Sequence, residues 1–234
     1  NEATGRGVMY TTKNILNKMG IPAEGTTVAI QGMGNVGSIT AKLLHREGMK
    51  IIAVSDVSGG IYNPDGLNVP AILDYLSLNR KNLLKDYNEE GMSRITNEEL
   101  LEMDARVLVP AALENQINAS NAHKIRAEVI VEAANGPVAA DADGILQDRG
   151  ITVVPDILAN AGGVVVSYFE WVQNIQSVSW TEEEVNEKLK NIMDPAFEAV
   201  WDIAMKQNAT LRTGAYRIAV RRVVEAKAAR AIWP

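Results

Sequence analysis

The chain has 234 residues, 47% of them hydrophobic, enough to fill a core in one large domain or two small ones. Its 23 Lys and Arg against 29 Asp and Glu give a formal charge of −6, which offers no basic footprint for nucleic acid or an anionic membrane. It has no cysteine, which excludes disulfides, thiolate metal sites and cysteine nucleophiles, and its longest apolar stretches are too short to cross a bilayer, so a cytoplasmic location is expected.

The first residue is Asn1 rather than methionine, and a helical pattern begins almost at once, with Val8, Thr12, Ile15, Leu16 and Met19 closed by Gly20 and Pro22. The sequence is therefore expected to start inside a longer protein. Thr26 to Gln31 reads as a strand, Asn35 to Glu47 as a helix and Lys50 to Ser55 as a second strand, which makes one βαβ unit. Its first turn, Gly32-Met33-Gly34-Asn35-Val36-Gly37, spells G-x-G-x-x-G. In that spelling Gly32 permits a sharp turn, Gly34 lets a pyrophosphate approach the backbone, and Gly37 lets the helix pack closely on the strand. The helix N-terminus then offers free N–H groups to phosphate. Asp56, 24 residues beyond Gly32, ends the second strand where a carboxylate is expected to accept hydrogen bonds from an adenosine ribose. A βα turn that binds nothing, with Asp56 capping a loop, would use the same residues; the agreement of strand, glycines, helix, strand and acid favours a dinucleotide.

Residues 58 to 68 are crowded with turn formers and predict a short ribbon and loop before a helix from Pro70, and Asn79 to Gly91 is polar surface. Thr96-Asn97-Glu98-Glu99 spells a capping box, followed by a strand over Arg106 to Pro110 and a helical turn near Ala119 to His123. Glu128 to Val131 is the next strand, Asp141 to Gln147 a helix, and Ile151 to Pro155 the last strand. From Asn160 the pattern is wholly helical. A second capping box at Thr181 opens a stripe of Val185, Leu189, Ile192, Met193, Ala196, Phe197, Val200, Trp201 and Ala204. A final helix over Leu211 to Trp233 carries Ala215, Ile218, Ala219, Val223 and Ala226 on one face. The expected fold is α/β, a Rossmann-like doubly wound, mostly parallel sheet with a helical C-terminal extension. It is expected to be one domain over 1–234, with a leading helix at 1–20, the sheet core at 26–158 and the C-terminal helices at 160–234.

Ligand in such a sheet lies beyond the strands' carboxyl ends, where three segments are unusual: Pro110-Ala111-Ala112-Leu113, Ala134-Asn135-Gly136-Pro137 and Asp156 to Gly163. Ala111 and Ala112 are small enough for a flat ring to lie on the backbone, and the Asn135 and Asn160 amides can donate and accept toward a ribose or a carboxamide. Loop asparagines in left-handed conformations would show the same spacing. His45 falls within a helix, His123 in a surface turn, and the cleft segments hold no lysine, so no catalytic residue and no metal site is assigned. The substrate-binding half is expected to be missing. A non-catalytic dinucleotide-sensing module is the alternative.

The motifs Glu2-Ala3-Thr4-Gly5-Arg6-Gly7, Gly32 to Gly37, Ser55-Asp56 with Gly60 to Leu67, Ala134 to Pro137, and Asn160 to Gly163 followed by Ser167 to Asn174 together resemble glutamate dehydrogenase. The resemblance runs through essentially the whole chain and is to the nucleotide-binding half of the hexameric bacterial and archaeal type. It implies oxidative deamination of L-glutamate to 2-oxoglutarate and ammonium with hydride passing to NAD or NADP, a homohexamer, and catalytic lysines and aspartate on an N-terminal domain absent from this chain. By the same resemblance, Thr4 contacts the nicotinamide carboxamide, Asn35 and Val36 belong to the pyrophosphate turn, Asp56 takes the adenosine ribose, and Asn135 and Asn160 lie on the nicotinamide side. Ser167 resembles the serine that reaches the substrate's side-chain carboxylate, with Val164 packing beside it. The run from Ser167 favours glutamate over the apolar substrates of the related leucine, valine and phenylalanine dehydrogenases. Asp56, with no Arg or Lys over residues 55 to 62, favours NAD.

Overall fold

Alternation along the central strands sets the architecture of the computed structural model, which describes residues 2–230. Val28 and Ile30 of β1 (Thr27–Gln31), Val107 and Val109 of β5 (Val107–Pro110), and Val129 and Val131 of β6 (Val129–Val131) face one hydrophobic core. Ala29, Leu108 and Ile130, between them, face a second. Side chains two apart share a face of a strand, so a sheet with both faces apolar must be covered on both. Val8, Ile15 and Leu16 of α1 (Ala3–Lys18), Leu43 and Leu44 of α2 (Asn35–Arg46), and Phe197 and Val200 of α8 (Glu182–Lys206) join the first core. Leu100 and Leu101 of α4 (Asn97–Leu101) and Ala142 and Leu146 of α5 (Ala140–Asp148) join the second.

With β2 (Lys50–Asp56), β3 (Gly59–Tyr62), β4 (Ser93–Ile95) and β7 (Thr152–Val154), the sheet has seven strands in the order β4-β3-β2-β1-β5-β6-β7. The five strands from β2 through β1, β5 and β6 to β7 are parallel, while β3 and β4 add an antiparallel edge. The mostly parallel α/β fold is thus as expected. The edge is only partly so: the ribbon after Ser58 becomes β3, whereas β4 was not anticipated. Because β2 lies on one side of β1 and β5 on the other, the chain reverses direction across the sheet beside the carboxyl end of β1. That is where an open α/β sheet leaves a crevice.

The remaining helices are α3 (Val69–Leu78), α6 (Asp156–Ala159), α7 (Gly162–Gln176) and α9 (Leu211–Ala229). Both capping boxes form, at Thr96 and Thr181, each hydroxyl accepting from the third helical amide while that residue's glutamate accepts from the cap's own N–H. Of the predicted apolar face of α9 only Ala215, near its root, is buried; Ile218 and Ala219 are half-buried, and Val223 and Ala226 are exposed. Within the α8 stripe Ile192 is likewise exposed. Ile232 and Trp233, expected to end the last helix, lie outside the described residues. Among the described residues no helix is long and apolar enough to cross a membrane.

Candidate functional site

The G-x-G-x-x-G turn closes as its spelling requires. Gly32 has φ +97°, a conformation that a side chain disfavours, and its N–H donates to Ser55 O across to β2 at 2.9 Å. A Cβ on Gly37 would sit 1.7 Å from Gly32 O, so α2 can leave the strand at this angle only without one. Gly34 is different: a Cβ there would meet nothing within 4 Å. It is the N-cap of α2, and that N-terminus has neither a side-chain cap nor an acidic residue in its first turn. Its leading N–H groups therefore have no side-chain partner and carry the positive end of the helix dipole behind them, at residues that line a groove, the arrangement that receives a phosphate. An open approach at Gly34 and uncapped amides fit the pyrophosphate of a dinucleotide.

This turn forms one wall of a groove of about 1110 Å³, lined also by Asn35, Asp56, Ala111 and Ala112. Of the candidates, Gly32, Gly34, Asn35, Asp56, Ala111 and Ala112 are thus gathered in one place, with Val36 and Gly37 on the helix behind them. Asp56 also has structural work. Its Oδ1 accepts from the amide and hydroxyl of Ser58 at 2.7 and 2.5 Å, and its Oδ2 accepts from Leu84 N at 2.7 Å. The loop-capping role weighed against a ribose contact is therefore present, and it holds the carboxylate still at the groove's edge.

Arg80 lines the same groove. It lies beyond α3, far from residues 55 to 62 in sequence, so a search for basic residues next to Asp56 along the chain misses it. Gln31 is missed too: buried at the end of β1, it donates from Nε2 to Gln116 Oε1 at 2.8 Å, and both line the groove. An apolar-looking strand ending in a buried amide was the available signal.

A second set of candidates lies outside that groove's lining. Asn160 Nδ2 donates to Asn135 Oδ1 at 2.8 Å, joining the segments after β7 and β6. Neither asparagine has positive φ, which removes the left-handed-loop explanation; the positive φ in this segment belongs to Gly136. The double glycine, Gly162 and Gly163, serves close helix packing. A Cβ on Gly162 would lie 2.3 Å from Ala3 O, and one on Gly163 2.5 Å from Thr4 Oγ1, so the pair lets α7 start against α1 and sets Thr4 beside it. Ser167 is exposed one turn further along α7, and Val164, expected to pack, is 76% exposed.

Beneath the asparagine pair sits a buried ion pair that the sequence did not signal. Glu132, with no exposed side-chain surface, accepts a two-pronged contact from Arg212 of α9 at 2.8 and 3.0 Å. Its oxygens also accept from Val138 N at 3.3 Å and Asp156 N at 2.7 Å. Burial pushes the Glu132 carboxyl up, with the guanidinium pulling the other way. Burial also opposes the charge on Arg212, but the Glu132 and Asp143 carboxylates outweigh it and hold the guanidinium protonated.

Comparison with known proteins agrees with this geometry. Residues 1–231 match the family described as glutamate/leucine/phenylalanine/valine dehydrogenase. The chain is 48% identical over 224 residues to the catabolic NAD-specific glutamate dehydrogenase of Bacillus subtilis, covering 96% of this chain and 52% of that protein. It is 49% identical over 234 residues to the NADP-specific glutamate dehydrogenase A1 of Halobacterium salinarum, covering 99% of this chain and 55% of that protein. Among solved structures, the hetero-hexameric glutamate dehydrogenase of Thermus thermophilus, in its Leu-bound form, superposes with a TM-score of 0.91 at 32% identity over 100% of this chain and 54% of that one. The enzyme from Peptoniphilus asaccharolyticus gives 0.83 at 37%, again over 100% of this chain and 54% of that one. The chain thus spans about half the length of the relatives it matches. A glycine turn under an uncapped helix, a strand-ending acid and a match along nearly every residue lead to one conclusion: this chain belongs to the glutamate/leucine/phenylalanine/valine dehydrogenase family.

Proposed function

We propose that this chain is the dinucleotide-binding part of a glutamate dehydrogenase whose substrate-binding domain lies on protein outside the 234 residues. The observation that supports it most is the uncapped N-terminus of α2 opening onto the groove at Gly34, where no atom stands within 4 Å of the missing Cβ. Asn35 and Val36 would hold the pyrophosphate, Asp56 the adenosine ribose, and Ala111 and Ala112 the wall of the adenosine slot. Asn135, Asn160 and Thr4 would orient the nicotinamide, and Ser167 would face the far carboxylate of glutamate, with Val164 beside it. The bound dinucleotide supplies the hydride acceptor for oxidation of L-glutamate to 2-oxoglutarate and ammonium. No proton-transfer group is assigned to this chain, so alone it binds the coenzyme and turns over glutamate negligibly. With its other domain the protein is a homohexamer.

Asp56 favours NAD, because a 2′-phosphate there would meet a carboxylate whose oxygens are already held by Ser58 and Leu84. Arg80, in the same groove, is the group through which NADP would be tolerated. Calorimetric titration with NAD and NADP tests the reading, followed by an assay for 2-oxoglutarate after adding a separately made substrate-binding half. Binding, with activity appearing only on mixing, is expected. Lack of binding to either dinucleotide overturns it, and binding with no activity on mixing indicates a non-catalytic sensing module instead. Asp56→Ser should lower NAD affinity roughly tenfold and narrow the preference for NAD over NADP.

A further inference from the structure

We propose that Arg212 and Glu132 are positioning residues for the nicotinamide end of the cleft, fixing the Asn135–Asn160 pair from the root of α9; the proposal rests on the dinucleotide reading above. Glu132 fastens both cleft segments at once. Its Oε1 accepts from Val138 N, just past the Asn135 loop, and its Oε2 accepts from Asp156 N, at the start of the short helix that Asn160 closes. The Asp156 carboxylate then accepts from Gly136 N at 2.8 Å, tying the second segment back to the first.

Both carboxylates face one cation. Arg212 Nη1 and Nη2 grip Glu132, Nη1 lies 3.9 Å from Asp156, and Nε donates to Asp143. Arg212 sits in the first turn of a helix whose outer half is largely exposed, with Val220, Val223 and Val224 showing 58%, 69% and 59% of their surface. A shift of that root therefore moves the guanidinium, and with it the spacing of the two asparagine segments. The planar fork matters, because a lysine cannot hold two carboxylate oxygens in one plane while reaching Asp143. The adenosine end, built by Gly34, Asn35, Asp56 and Ala111, shares no residue with this network.

That separation makes the test. The 234-residue chain and three variants, Arg212→Lys, the neutral pair Arg212→Gln with Glu132→Gln, and the milder Asp143→Asn, are titrated calorimetrically with NAD and with ADP, which lacks the nicotinamide half. Near-ultraviolet circular dichroism and thermal unfolding check that each is folded. NAD affinity is expected to fall roughly tenfold in the first two and by a smaller factor in Asp143→Asn, with ADP affinity unchanged within about twofold. A variant that only weakens the fold would lose both ligands together. Parallel losses, or NAD affinity unchanged in every folded variant, overturn the proposal while leaving the dinucleotide reading intact. A parent chain that binds neither ligand overturns that reading and this proposal with it.

Discussion

Gly34 and Gly37 stand in the same turn under opposite constraints. A methyl group on Gly37 would collide with Gly32 O, so its replacement strikes the fold before it strikes any ligand. A methyl group on Gly34 would enter empty space, and the Gly34 backbone, at φ −76° and ψ −162°, lies in the extended region open to any residue. Gly34→Ala should therefore leave the thermal unfolding midpoint within a few degrees of the parent. Dinucleotide affinity should fall by at least about tenfold, since the new carbon occupies the approach to the α2 amides. Calorimetry beside a melting curve measures both, and a variant that melts normally and binds normally would show that the pyrophosphate lies elsewhere. The three glycines were legible because their roles are local, each set by the conformation or contacts of one turn. Arg80 was not, since its place in the groove that Asp56 also lines depends on how α3 packs.

The antiparallel edge is the element that sequence reading handled least well. Ser93–Ile95 is three residues long and mostly exposed, too short and too polar to show a strand period. Its function is carried by Arg94, which donates from its guanidinium to Leu84 O, Tyr87 O and Asn88 Oδ1 and so shapes the loop that presents Leu84 N to Asp56. An isolated surface-looking arginine thus steadies the proposed ribose acid from two strands away. Tyr87 belongs to the same loop and packs against Tyr75 with ring centroids 5.4 Å apart. Burial, with help from the Glu89 carboxylate that its hydroxyl donates to, pushes Tyr87 up from 10.0 to about 12. Keeping its proton favours the folded state, so this support is complete below pH 10 and is lost as pH rises toward 12. Absorbance titration at high pH should show one of the six tyrosines ionising last, and Tyr87→Phe should remove that final step. An unchanged titration curve in the variant would assign the late step to another tyrosine.

At the scale of the molecule, two apolar helix faces are left without cover among the described residues. Val164, Tyr168, Trp171 and Ile175 repeat at helical spacing along α7, all exposed, and Tyr216, Val220, Val223 and Val224 do so along α9. Contiguous apolar area of this kind drives association. The isolated chain is expected to self-associate with rising concentration in sedimentation velocity, and Val223→Glu should shift the distribution toward monomer. A single species at all concentrations for both proteins would show these faces to be inert in water. The exposed stripe on α9 shares only Val223 with the face that the period predicts, because periodicity identifies an apolar face without saying what covers it.

Strand period, turn glycines, capping boxes and the strand-ending acid are short-range properties of the chain, and they were sufficient to define the mostly parallel sheet and the glycine turn with the acid that line one groove. The Arg212–Glu132 ion pair joins residues 80 apart in sequence, and Arg80, the Gln31–Gln116 contact and the α7–α1 glycine packing likewise join distant segments. Such pairings have no local periodicity. They come into being only when the sheet order brings the segments together, which is why the tertiary structure alone decided them.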